Sequence, residues 1–98
     1  MESFKEIIQS STPTIIDFYA TWCGPCKTMA PILDQLKDEF KGQIRILKID
    51  VDKNQDAANK FKVRGVPTFI LFKSGEIQWR FSGAISKSEF VSKIQPHL

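Results

Sequence analysis

The sequence predicts an α/β fold built on a mixed sheet of about four strands, and two observations carry that expectation. Between Thr14 and Val51, two apolar, β-branched segments flank a long amphipathic stretch. That order makes a parallel strand–helix–strand unit, because parallel neighbours need a crossover between them. Beyond Gly65 the pattern changes to two strand-like segments on either side of Lys73-Ser74-Gly75, which reads as a hairpin and hence as an antiparallel pair.

Each element has its own warrant. Ser3 and Glu6 form a capping box, Phe4, Ile7 and Ile8 share one helical face, and Pro13 forbids continuation, so the first helix is short. Thr14 to Ala20 is almost continuously apolar, which predicts a strand buried on both faces. From Cys23 to about Phe40, residues Met29, Ile32, Leu33, Leu36 and Phe40 recur at helical spacing while Lys37, Asp38 and Glu39 take the outer side; a kink is expected at Pro31. Gly42 ends that helix, and Ile44 to Val51 supplies the second strand. A weaker helix spans about Asn54 to Phe61, with Ala57, Ala58 and Phe61 available to pack. Pro67 to Phe72 and Glu76 to Ser82 are the hairpin strands, and a second capping box, Ser86 with Glu89, opens a closing helix that runs through Phe90, Val91 and Ile94 to about Gln95.

The chain has 98 residues, 42% hydrophobic and 26% charged, the proportions of one ordinary globular domain spanning residues 1–98. Its net charge of +3 is spread without a block of like charges, so no nucleic acid partner is expected. No apolar run approaches the roughly 20 residues that cross a bilayer, and Met1 to Ser10 mixes charged and apolar residues unlike a signal-peptide core. No membrane association is expected, and the cytoplasm is the expected location.

The chemistry concentrates in Trp22-Cys23-Gly24-Pro25-Cys26-Lys27, at a strand-to-helix junction. Unpaired N–H groups and the positive dipole end of a first helical turn stabilise a thiolate, which makes Cys23 the expected nucleophile. Cys26, three residues on, lies on the same side of that turn, close enough to resolve a mixed disulfide and bridge to Cys23. Gly24 keeps the approach open, Pro25 suits an early helical position, and the Gly-Pro insert is expected to expose the first thiol. Three alternatives compete. Zinc would need four ligands, and beyond the two thiolates the chain offers His97 and carboxylates. A purely structural bridge over so small a loop restrains the unfolded chain by only about 2 kcal/mol. Inert packing cysteines fit poorly at a helix mouth. Redox chemistry leads among these. Asp17, an acid inside an apolar strand, is expected to have a raised pKa, unless it sits at a strand edge with its carboxylate in water.

Trp22-Cys23-Gly24-Pro25-Cys26-Lys27, preceded by Ile16-Asp17-Phe18 and followed by Ala30-Pro31, Lys48-Ile49-Asp50, Gly65-Val66-Pro67-Thr68 and Gly83-Ala84, resembles the thioredoxin family over nearly the whole chain. The resemblance implies a three-layer sandwich, helices on both faces of a sheet ordered Ile44 strand, Thr14 strand, Pro67 strand, Glu76 strand. It implies protein dithiol–disulfide exchange through Cys23 and Cys26, with Asp17 assisting deprotonation of Cys26 through water and Lys48 as the basic partner of that acid. By composition alone, Lys48 is equally a solvated strand residue. The resemblance further implies a cis peptide before Pro67, a Val66 backbone that pairs with an extended client segment, and a docking surface of Trp22, Gly24, Pro25, Gly65, Val66, Pro67 and Gly83. Gly83 read on its own is simply a turn residue. No bound cofactor or metal is implied; a thioredoxin reductase drawing on NADPH would regenerate the dithiol, and the other partners would be disulfide-containing client proteins.

Two departures qualify the resemblance. Tyr19 stands where many family members carry a second tryptophan, which keeps an aromatic ring and adds a hydroxyl. The sequence begins near the first helix, so the family's N-terminal strand is expected to be missing and the Ile44 strand to become a sheet edge, blunted by Arg45 and Lys48. A monomer with weak dimerisation is the expected state. Competing functions are an oxidase or isomerase of the same fold, against which the Gly-Pro insert speaks because oxidising members usually carry histidine there, and a non-catalytic binding module using the same apolar patch.

Overall fold

The computed structural model describes residues 3–98; Met1 and Glu2 lie outside the described residues. The elements run α1 (Phe4–Gln9), β1 (Thr14–Tyr19), α2 (Gly24–Glu39), β2 (Arg45–Asp50), α3 (Gln55–Lys60), β3 (Thr68–Lys73), β4 (Glu76–Ser82) and α4 (Lys87–Ile94), closed by a 3₁₀ turn over Gln95–His97. The strand order is β2-β1-β3-β4, with β1 parallel to β2 and antiparallel to β3, and β3 antiparallel to β4. Expected topology and observed topology agree.

Local chemistry explains the boundaries. Ser3 and Ser86 cap α1 and α4, each accepting the backbone N–H three residues on, from Glu6 at 3.1 Å and from Glu89 at 3.2 Å. The hairpin turns on Ser74 (φ 54°) and Gly75 (φ 83°), two consecutive left-handed residues whose twist matches that of the flanking strands. β3 begins at Thr68, one residue later than expected, because Pro67 has no N–H to give the ladder. Helix α2 runs through Pro31 and stops with Phe40 as its cap, and Gly42 takes φ +75° in the turn beyond.

Side chains alternate across the strands, so the sheet has two cores. On one face Ile15, Phe69 and Leu71 pack with Met29, Leu33 and Leu36 of α2 and Phe90 and Ile94 of α4. On the other, Ile16, Phe18, Ile49, Ile70 and Phe72 pack with Ile8 of α1, Ala57 of α3 and Phe61 just beyond it. Phe61 lies between Phe4, Phe18 and Phe72, with ring centroids 5.7, 6.2 and 5.3 Å away. Arg80 on β4 sends its guanidinium to the carbonyls of Phe61 and Lys62, satisfying acceptors that the end of α3 leaves open. Among the described residues β2 pairs only with β1 and forms one edge of the sheet. No helix among them is long and apolar enough to cross a membrane.

Candidate active site

The site forms where β1 ends and α2 begins. The chain turns at Trp22, the Cys23 N–H reaches back to the Ala20 carbonyl at 3.2 Å, and Cys23 becomes the N-cap of α2 with Pro25 in the first turn. Its Sγ accepts the Cys26 backbone N–H at 3.1 Å, occupying the position that a capping oxygen takes in most helices. Cys23 and Cys26 are joined as a disulfide with their Cα atoms 5.3 Å apart, a separation that needs no backbone adjustment. The expectation that the Gly-Pro insert exposes the first thiol does not hold for this bridged state. Cys23 is 3% exposed while Cys26 is half-buried, because the cap contact draws the Cys23 sulfur against the first turn. Gly24 and Pro25 are the exposed residues, and a Cβ at Gly24 would meet nothing within 4 Å.

One wall of the site is Trp22, 69% exposed, whose indole N–H donates to Asp52 Oδ2 at 2.9 Å. Asp52 is itself placed by its N–H bond to Asp50 Oδ1 at 2.9 Å, in the turn that follows β2. Thirty residues separate this pair, and nothing in the local pattern around Asp52 singles it out. Gly65 and Val66 stand beside Trp22 on one cavity, and the Val66–Pro67 peptide is cis, as the resemblance implied. Thr68 Oγ1 pairs with the Gly65 carbonyl at 2.7 Å and with Ser82 Oγ at 2.9 Å. Gly83 donates its N–H to the Pro67 carbonyl at 2.8 Å with φ +107°, a conformation that side-chain-bearing residues rarely adopt. It is thus a turn residue bonded directly to the cis-proline. Trp22, Gly65 and Val66 meet around a shallow apolar cavity of about 130 Å³ with Val51, Val63 and Arg64.

Beneath the cysteines lies Asp17, 3% exposed, with no hydrogen-bond partner for Oδ1 among the described residues. The strand-edge alternative for Asp17 therefore fails. Burial pushes its carboxyl up from 3.8 to about 6, and the nearby Lys48 cation pulls against that rise. Asp17 and Cys26 line a common cavity of about 230 Å³ with Tyr19, Lys27, Ala30 and Lys48, roomy and polar enough to admit water. Lys48 is exposed, and its ammonium lies over the Tyr19 ring, 5.1 Å from the centroid. The structure thus brings Asp17, Lys48 and Cys26 to one cavity and Trp22, Gly65 and Val66 to another, with Pro67 and Gly83 joined by a backbone hydrogen bond. Among the described residues no cluster of three or more His, Cys, Asp or Glu side chains is arranged to hold a metal.

The thioredoxin family model matches residues 1–96. The chain is 43% identical over 98 residues to thioredoxin Y1, chloroplastic, of Arabidopsis thaliana, covering 99% of this chain and 57% of that one. It is 36% identical over 94 residues to a thioredoxin of Pseudomonas aeruginosa, covering 96% and 87%. The chain therefore spans little more than half the length of the plant relative and most of the bacterial one. Among solved structures, mitochondrial thioredoxin 3 from Saccharomyces cerevisiae in its oxidized form superposes with a TM-score of 0.86 at 38% identity, covering 95% of this chain and 86% of that one.

Proposed function

The chain belongs to the thioredoxin family, and from that premise we propose that it is a protein dithiol–disulfide oxidoreductase that reduces disulfides in client proteins. The observation that carries this reading is the Cys23–Cys26 bridge at the mouth of α2, above the buried Asp17. In the reduced protein, the Cys26 N–H, which meets Cys23 Sγ in the bridged state, and the positive end of a 16-residue helix favour the Cys23 thiolate. It attacks one sulfur of a client disulfide; the other client sulfur leaves as a thiolate and takes a proton from solvent. Cys26 then gives its proton, through water, to the Asp17 carboxylate and attacks Cys23 Sγ, releasing the second client sulfur. Two electrons pass from the dithiol to the client, and the bridged pair described above is the product.

Asp17 suits its part because a carboxyl with a pKa near 6 is mainly ionised at neutral pH, yet basic enough to accept a thiol proton. Lys48 is its basic partner. The client docks as an extended segment along the Val66 backbone, within the surface formed by Trp22, Gly24, Pro25, Gly65, Pro67 and Gly83. Regeneration falls to a flavoprotein thioredoxin reductase drawing on NADPH, with no cofactor bound to this chain. We place the activity in the cytoplasm, in one domain acting as a monomer.

The test is the reduction potential of the Cys23–Cys26 couple, equilibrated against glutathione or dithiothreitol, with insulin reduction followed in parallel. A value near −270 mV, about that characteristic of thioredoxins, together with insulin turnover is the expected result. A value above about −200 mV would move the chain toward isomerase or oxidase work, and thiols that never cycle would leave a binding module.

A further inference from the structure

The cavity beneath the cysteines is lined by one aromatic residue, and the exchange chemistry gives it no task. Tyr19 follows Asp17 by two positions on β1, so both side chains project to the same face of the sheet. Lys48 is the register partner of Asp17 on β2, and Tyr19 is that of Asp50. Lys48 is thus the neighbour of both β1 side chains, one straight across and one on the diagonal. Its ammonium meets the face of the Tyr19 ring, 5.1 Å from the centroid, while all three residues line the same cavity as Cys26. An exposed lysine on a four-carbon stem samples many rotamers unless something selects among them. The electron-rich face of an aromatic ring does so for a cation.

We infer that Tyr19 is a positioning residue: its ring seats the Lys48 ammonium at the mouth of the cavity beside Asp17, and so sets the pH range over which Asp17 exchanges its proton. The phenolic hydroxyl is not needed for this; the ring is. The groups facing Asp17 are few. Lys48 comes from β2, Cys26 and Lys27 come from α2, Tyr19 comes from the same strand, and β3 presents the uncharged Phe69 as the register partner. Of these, the Lys48 cation lowers the carboxyl against the effect of burial. A lysine released from the ring spends its time in solvent, where screening weakens its pull, and Asp17 then ionises at higher pH.

The consequence for turnover rests on the oxidoreductase reading above, but the test does not. The Asp17 side-chain carboxyl is followed by carbon-13 NMR across pH 4 to 9 in the oxidised protein, without client or reductase. Tyr19→Leu should raise the Asp17 midpoint by about half a unit, Tyr19→Phe should leave it in place, and Lys48→Gln should raise it by at least as much as Tyr19→Leu. In the Lys48→Gln background, Tyr19→Leu should add nothing, since the ring acts only through the lysine. An unmoved midpoint in Tyr19→Leu, a shift that persists in the double variant, or a Tyr19→Phe shift as large as that of Tyr19→Leu overturns the proposal. Should Tyr19→Leu fold poorly, an unmoved midpoint in Lys48→Gln overturns it equally. A chain that titrates as expected but never reduces insulin refutes the oxidoreductase reading and leaves the positioning role standing.

Discussion

On the face covered by α1 and α3, β1 presents Ile16 and Phe18, β3 presents Ile70 and Phe72, and each of them is buried among apolar neighbours. On the face covered by α2 and α4 the same two strands begin alike, with Ile15 against Leu71, but one step along β1 comes Asp17 opposite Phe69 and then Tyr19 beside a cavity. The first face is apolar along both strands. The second is filled only as far as the start of α2, where a buried carboxyl and two cysteines replace hydrocarbon. The buried acid is therefore separated from the first core by the pleat of one strand, since neighbouring residues of β1 face opposite cores.

The largest effect expected from this separation is on the filled face. Phe72→Ala, which removes a ring packed against Phe61, should lower stability to urea by about 3–5 kcal/mol while leaving the redox potential of the folded protein unchanged. A shifted potential would break the separation. On the other face, Asp17→Asn should stabilise the protein by about 2–3 kcal/mol at pH 8 and slow insulin reduction. The sign follows from the raised pKa: the folded protein resists ionising Asp17, so the charge carries no penalty below the unfolded value of 3.8, and the penalty grows as pH rises until it is complete above about 6. The stabilisation should accordingly vanish in denaturation measured below pH 4. The smallest effects are at the two capped helices, one on each face. Ser3→Ala and Ser86→Ala should each cost about 1 kcal/mol in thermal or urea melts, without changing the potential.

What could be read from the sequence was mainly what is decided over short distances. Both capping boxes, the two-residue hairpin and the amphipathic α2 depend on residues within a few positions of one another, and they stand where expected to within a residue or two. Asp17 was legible as a buried acid because every neighbour on its strand is apolar. The cis peptide before Pro67 and the strand order were legible only through family resemblance. Other features come from chain segments that meet solely in the fold: the Trp22–Asp52 bond, the reach of Arg80 to the end of α3, and the seat of Lys48 on Tyr19. The burial of Cys23 departs from the sequence expectation for a related reason. A Gly-Pro insert describes the backbone at the helix mouth, whereas the cap contact that draws in the sulfur depends on how the side chain turns.

The two tryptophans differ in exposure. Trp22 is largely open to solvent, one residue before the reactive pair, while Trp79 is half-buried, stacked on Phe81 and edge-on to Phe90. Indole emission shifts with solvent contact and is quenched by a nearby disulfide, so the two rings report different events. Light from Trp22 should follow oxidation and reduction, and light from Trp79 should follow melting of the α2/α4 core, which emission spectra of the Trp22→Phe and Trp79→Phe variants would check. The chain thus carries separate optical gauges of its chemistry and its folding, with no label attached.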